Sequence, residues 1–401
     1  MALCPVPLNS RNFKVYYVKQ TECDKLPSNP AFKQIGTTGG SPQLTRDPLQ
    51  SAVIDGSSEV TGVRLGSKVV NYEVAYEMQY GVHDDLREFL FQNTWQAGNV
   101  LSGKTIVIDA ISKTATIAGE DLTTDIAIND RIVMPSLTGG NKDPLLVTDI
   151  SFSTDTVITF NSAKVANAQV GLVGLADETG TSDIRTSDKL YIGTERKLFA
   201  ILVEYSDIDN ANKYQLVMNC ECTQSSDSPA VNAITTGTFT IVGKTLASAQ
   251  PLPAGATLTA YNSAKSMTGI DGAITQEGER VAFSESMSFT LNRAGEPSYE
   301  LGSDSMSFVD YGKTVNEVSI TSKFVDFDSA LKFEATEQQE VDYNFTASYD
   351  GDCIGWTWPT AILTGVSNTV GEGTIPQELT LMPFKPQGAL SSLVLHRVTN
   401  K

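Results

Sequence analysis

His83 and His396 are the only two imidazoles in the 401 residues. A Ser-His-Asp relay would have to use one of them, because imidazole is the side chain that both takes and returns a proton near neutral pH. Neither stands beside a strand–turn–helix nucleophile motif. Cys220 and Cys222 share one face of a strand-like run, but a zinc site needs two more ligands at close spacing and none follow; they read as small core residues. Asp207, Asp209 and Asn210 resemble part of a calcium loop without its Gly or its closing Glu, and read as a solvated hairpin tip. Gly36-x-x-Gly39-Gly40 follows no clear strand and opens no helix, so it makes no phosphate loop. Trp356 and Trp358 alternate beside Pro359 and read as core at a sheet edge. No catalytic, metal or cofactor set is assigned, and the chain is expected not to be an enzyme.

Bulk properties narrow the class. Net charge is -18. Phosphate binding needs Lys and Arg, so tight nucleic-acid binding is not expected. Residues 1–70 hold 8 basic and 5 acidic side chains, and the remainder carries the acidic excess. The N-terminal residues show no basic or apolar signal region, and no run reaches the length of a membrane span. Five scattered cysteines fit reduced thiols in a protein made in the cytoplasm.

The elements that could position functional residues are mostly strands. Residues 1–50, rich in proline, read as an extended arm. A strand at 60–66 precedes one in which Val70, Tyr72, Val74, Tyr76, Met78 and Tyr80 alternate with Asn71, Glu73, Ala75, Glu77 and Gln79. A helix follows, with Asp84 as its N-cap and Leu86, Phe89 and Leu90 as its buried stripe; Trp95 and Gly98 mark its end. Residues 99–185 change style, with short strands expected at 105–108, 114–118, 131–134, 145–150, 156–160 and 170–175. They read as a small β domain inserted into the first. Long strands resume beyond 186, and near 281–291 Ser284, Ser286, Ser288 and Thr290 oppose an apolar set. Domain limits are therefore 1–50, 51–98, 99–185 and 186–401. A strand followed by Asp and a short helix occurs before Phe89 and again before Phe333, which suggests two related halves about a pseudo-two-fold axis.

Three stretches carry a resemblance. They are Asp55-Gly56-Ser57-Ser58-Glu59-Val60-Thr61-Gly62 through Tyr76-Glu77-Met78-Gln79-Tyr80-Gly81-Val82-His83-Asp84-Asp85-Leu86; Thr236-Gly237-Thr238-Phe239 within 234–244; and 286–293 followed by Leu301-Gly302-Ser303. Over about 45–98 and 186–350 the chain resembles the major tail tube proteins of long, non-contractile-tailed bacteriophages. The resemblance implies an all-β fold with one main helix, a β-sandwich or half-barrel, with 99–185 on the outside. It also implies six copies per ring, rings stacked around a tape measure protein, tail tip and terminator proteins as further partners, and a place in the virion tail. DNA would pass through the lumen without tight binding, and no membrane insertion is expected. On that arrangement Glu73, Glu77, Gln79, Ser284, Ser286, Ser288 and Thr290 face the channel. A head–tail connector, a capsid decoration protein and a β-rich adhesin or glycan-binding module remain as alternatives.

Overall fold

The computed structural model describes residues 12–52, 62–162, 175–208, 210–261, 264–281, 283–335, 339–370 and 373–401. The chain opens with β1 (Phe13–Gln20), β2 (Ala31–Gln34), β3 (Gln43–Gln50) and β4 (Val63–Glu77), then α1 (Asp84–Phe91). In β4 the alternation holds: Val70, Tyr72, Val74 and Tyr76 enter the core while Asn71 and Glu73 stay exposed.

From Phe13 onward the expected extended arm is built into the sheet. β1 runs antiparallel to residues 198–205 along its whole length, from Phe13 opposite Tyr205 to Gln20 opposite Leu198. Val15 and Tyr17 enter the main core; Tyr16 and Val18 enter a second one. A strand buried on both faces has no period-2 pattern to betray it. Residues 1–11 and 53–61, including part of the stretch that carried the resemblance, lie outside the described residues.

In α1, Asp84 is the first helical residue and His83 stands at the N-cap without a side-chain hydrogen bond. The helix ends at Phe91, where Gln92 turns left-handed at φ 52°, short of Trp95. Leu86, Phe89 and Leu90 are buried as their spacing requires, and so are Arg87, Glu88 and Phe91. Elements distant in sequence close over the helix: Phe199 stacks on Phe89 at 4.4 Å, and Trp356 lies under the Arg87 guanidinium at 5.5 Å.

Next come β5 (Val100–Asp109), β6 (Thr114–Ala118), β7 (Arg131–Val133), β8 (Leu145–Phe152), β9 (Asp155–Ser162) and β10 (Glu178–Thr186). They close a barrel in the order β10-β5-β6-β9-β8-β7. The barrel has its own core, with Ile106, Ile117, Ile132, Val147, Phe160 and Ile184 among its members. Its two connections to the body lie side by side: Thr186 N–H donates to the Asn99 carbonyl at 2.9 Å, and Asn99 N–H to Thr186 Oγ1 at 2.7 Å. Most of the strand expected at 170–175 lies outside the described residues.

The body resumes with β11 (Asp188–Tyr191), β12 (Leu198–Tyr205), β13 (Tyr214–Ser228), β14 (Thr236–Gly243) and β15 (Thr245–Gln250). β16 (Thr257–Thr259) runs parallel to β2. A second series follows: β17 (Gly272–Gln276), β18 (Glu279–Arg280), β19 (Ser284–Asn292), the hairpin β20 (Gly295–Ser298) and β21 (Phe308–Tyr311), then β22 (Val315–Lys323) and α2 (Asp328–Glu334). It closes with β23 (Val341–Tyr349), β24 (Asp352–Asn368), β25 (Pro376–Pro383) and β26 (Val394–Thr399).

The two series are one topology used twice. β3–β4, α1 and β12–β13–β14 have the pairings of β19–β22, α2 and β23–β24–β25, and β4 closes on β14 as β22 closes on β25. Even the bulges coincide. The β12–β13 ladder slips between Phe199 and Ile201, and the β23–β24 ladder between Val341 and Tyr343. On β13 a second slip separates Cys222 from Gln224, and on β24 it separates Leu363 from Gly365. Bulges are specific features of a strand pair, so matching them superposes Val217 on Trp358, Cys220 on Ala361 and Gln224 on Gly365. The halves are not related by the expected two-fold axis. Residues 224–227 of β13 pair with β19, which places the trailing edge of the first unit against the leading edge of the second. A two-fold would have paired equivalent edges.

Candidate assembly surfaces

The sheet ordered β3-β4-β14-β13-β19-β22-β25-β24 presents a continuous polar surface on the side turned away from the core, and cross-strand register fixes its rows. One row runs Ala75, Thr238, Ser226, Thr290 and Glu317 from β4 through β14, β13 and β19 to β22. Another runs Ser288, Ser319, Thr380 and Gly365 from β19 to β24. Glu73 stands opposite Thr240 and Glu77 opposite Thr236. Glu73 and Ser288 are exposed; Glu77, Ser284, Ser286 and Thr290 are half-buried.

Gln79 departs from the sequence reading. It lies beyond the end of β4 and is buried, donating to Ser266 Oγ at 3.0 Å and accepting from Tyr261 Oη. Ser284 sits at a register slip in the β19–β22 ladder, so strict alternation does not carry through it. Two carboxylates that the sequence reading missed stand on the same surface. Glu317 pairs with Thr290, and Glu378 accepts from Ser319 Oγ at 3.1 Å. The signal was available, since Glu317 alternates with buried Asn316 and Val318.

Several ionisable groups off this surface are buried and closed in. Tyr76 donates to Asp227 at 2.6 Å. Burial pushes the Asp227 carboxyl up to about 6, against the pull of Arg87 and Tyr76. His83 lies 4.5 Å from the Tyr76 ring and donates from Nε2 to the Gly36 carbonyl at 2.9 Å. Burial, with repulsion from Arg87, lowers its pKa to about 4. His396 Nδ1 meets Ser187 Oγ at 2.9 Å, but both residues are sealed in the interior and burial holds the imidazole neutral. A nucleophile that no substrate reaches does no hydrolysis. Cys220 and Cys222 are likewise buried, their thiols pushed up by desolvation. Trp356 and Trp358 are core residues. Asp207 accepts from Asn12, and Asp209 lies outside the described residues. No group of three or more His, Cys, Asp or Glu able to hold a metal occurs among the described residues.

One buried charge fastens the barrel to the body. Arg131, on β7, is wholly buried. It donates to Thr346 Oγ1 at 2.9 Å, to Asn344 Oδ1 at 3.3 Å and to the Asn129 carbonyl at 2.9 Å. Burial lowers its pKa to about 10. It passes over Gly355, where a Cβ would come within 2.5 Å of Arg131 Nε. Here glycine is required by close approach.

The family model for phage tail tube proteins matches residues 10–381. The chain belongs to that family: it is a structural protein of the virion tail and not an enzyme. No curated protein matches the chain. Among the described residues no helix is long and apolar enough to cross a membrane.

Proposed function

We propose that this chain forms the wall of the conduit that carries the phage genome into the host, in stacked rings of six wall units. The observation that supports this is the polar face running unbroken from β4 to β24, with hydroxyls as its main material, Glu73, Glu77, Glu317 and Glu378 as its carboxylates, and Lys323 at the end of β22 paired with Glu285. Duplex DNA carries about one negative charge per 1.7 Å of axis. A basic wall would hold it through many phosphate contacts, whereas a hydroxyl and carboxylate wall gives it no grip. The apolar face of the same strands seals onto α1 and the core.

The barrel at residues 99–185 stands outside the tube, since a domain of that size would block the bore. The contact between successive rings falls to the β3–β4 hairpin, where Leu49, Val63 and Leu65 are exposed. A tape measure protein fills the bore before ejection, and tail tip and terminator proteins close the ends. The wall assignment is tested with Glu73→Lys combined with Glu77→Lys. Tails of normal length should form and release DNA several-fold more slowly in a receptor-triggered ejection assay. Unchanged release kinetics would sink the assignment.

A further inference from the structure

The internal junction between the two units is a template for a junction that the chain leaves open. Within the chain, β13 at residues 224–227 pairs antiparallel with β19 at 289–292, Ser225 opposite Leu291 and Ser226 opposite Thr290. Among the described residues the counterparts of these two strands are free on the corresponding sides. Beyond Ala361, β24 pairs with β25 alone, and β3 pairs with β4 alone. Unpaired edges of this kind invite another strand.

Equivalence can be carried residue by residue. Val74 opposite Phe239 occupies the place of Ile320 opposite Leu379. The bridge between Gly39 and Ala75 then falls where Ser286 meets Thr321, and Leu44 opposite Val70 falls where Leu291 meets Asn316. Leu291 is buried at 3% exposure by the internal junction, while Leu44 is 42% exposed. Leu44 faces the core side, as its partner Val70 does, so it lacks only the neighbouring strand. On the other edge Val366, which packs against the main core, stands in the place of Ser225.

The helices tell the same story. α1 is covered by parts of the second unit: Trp356 lies under Arg87, and Arg397 reaches Asp84. α2 has no buried residue, and Val325, Phe327, Leu331 and Phe333 beside and along it are exposed. Repeating the head-to-tail step would set the first unit of another copy over α2.

Resting on the tail-tube reading, we propose that β24 of one chain pairs with β3 of the next in the register of the β13–β19 junction, so that three chains, each supplying two units, close the ring. Gly365 then stands opposite the next copy's Thr45, Val366 opposite its Leu44 and Ser367 opposite its Gln43. The contact is heterologous and closes by rotation, as rings require. Each unit gives four strands to the wall. Three chains therefore give 24 strands and a backbone cylinder of about 48 Å at a spacing of about 4.8 Å and a tilt of about 40°. Six such chains would give 48 strands and about 96 Å on the same geometry, a bore far wider than a single duplex needs.

The test is a paired substitution, Leu44→Cys with Val366→Cys, in the full chain assembled into tails and then oxidised. Directly opposed residues in an antiparallel pair lie within disulfide reach. A non-reducing denaturing gel should show one, two and three linked chains and nothing larger, while each single variant, which controls for Cys23, runs as monomer. A ladder reaching six would overturn the three-chain ring, and intact tails with no linkage would overturn the β24–β3 junction. If the double variant does not assemble, cross-sections of tails built from the unaltered chain decide. Three barrels per ring support the proposal and six overturn it. Antibody labelling of the same tails separates the two levels: a chain absent from the tail shaft overturns the tube reading itself, whereas a chain present with six barrels per ring overturns only the stoichiometry.

Discussion

The same outer sheet face is sealed in two different ways in the two units. In the first, the cross-strand pair Leu202 and Leu216 packs with Tyr16, Val18, Phe32 and Leu258 in an apolar layer made by the chain's own β2 and β16 segments. In the second, the equivalent pair is Asn344 and Thr357, and they receive Arg131 from the barrel. The helices differ in parallel: Phe89 is buried at 2% exposure, while Phe333, the sixth residue of α2 as Phe89 is of α1, is 46% exposed. A duplicated scaffold thus keeps its ladders and its inner core while its outward contacts diverge. Backbone pairing is set by geometry common to both units, and coverage depends on what lies next to each.

The largest effect should come from the buried helix. Phe89→Ala removes a ring stacked between core aromatics and should cost about 4 kcal/mol, read as a lowered denaturation midpoint. Arg131→Leu should cost about 3 kcal/mol, because Asn344, Thr346 and Thr357 lose a donor while remaining covered. Hydrogen exchange should then rise at β23 and β24 and leave β12 and β13 unchanged.

Acid sharpens the comparison further, since the second unit has Phe327 at the cap where the first has His83, and Asn368 where the first has Asp227. The His83 pKa lies below its unfolded value of 6.5. Its contribution is complete above pH 6.5 and drains as pH falls towards 4. The Asp227 pKa lies above its unfolded value of 3.8. Its contribution is complete below that and is lost as pH rises through 6, so the two partly cancel between pH 4 and 6. His83→Gln should flatten the loss of stability in acid and Asp227→Asn should steepen it, each by about 2 kcal/mol across the window. Identical pH profiles for both variants would show that neither group carries the dependence. The smallest effect is expected from Phe333→Ala, below about 1 kcal/mol in the unassembled chain, with its cost appearing as shorter or fewer tails. A drop as large as that of Phe89→Ala would erase the distinction between the helices.

Much of this was legible in the sequence wherever one face of a strand is wet. β4 declared itself by alternation, and α1 by Leu86, Phe89 and Leu90. Where both faces are covered the signal vanishes. β1 and β12 are buried on both sides, so the first could pass for part of an arm among prolines. Alternation placed Glu73 and Ser288 on the side away from the core, where both are exposed, but Gln79 followed the same alternation past the point where the strand had ended. Arg131 was invisible because its side-chain partners in the body are over 200 residues away and uncharged. The repeat was glimpsed through its Asp-led helices, yet its head-to-tail order resides in the β13–β19 ladder, which no local pattern announces.

The two connections at Asn99 and Thr186 sit one ladder rung apart, about 5 Å between their Cα atoms, and what lies beneath the barrel is largely hydroxyl and amide, with Cys353 and Val398 the small apolar exception under Val133. A body stripped of residues 100–185 would therefore offer water a face it can wet, and the gap left in the backbone could be spanned by a short turn. The site is in effect a socket: any foreign domain whose two ends meet closely could be grafted there, and a repeating shaft would then carry it at regular intervals along its length.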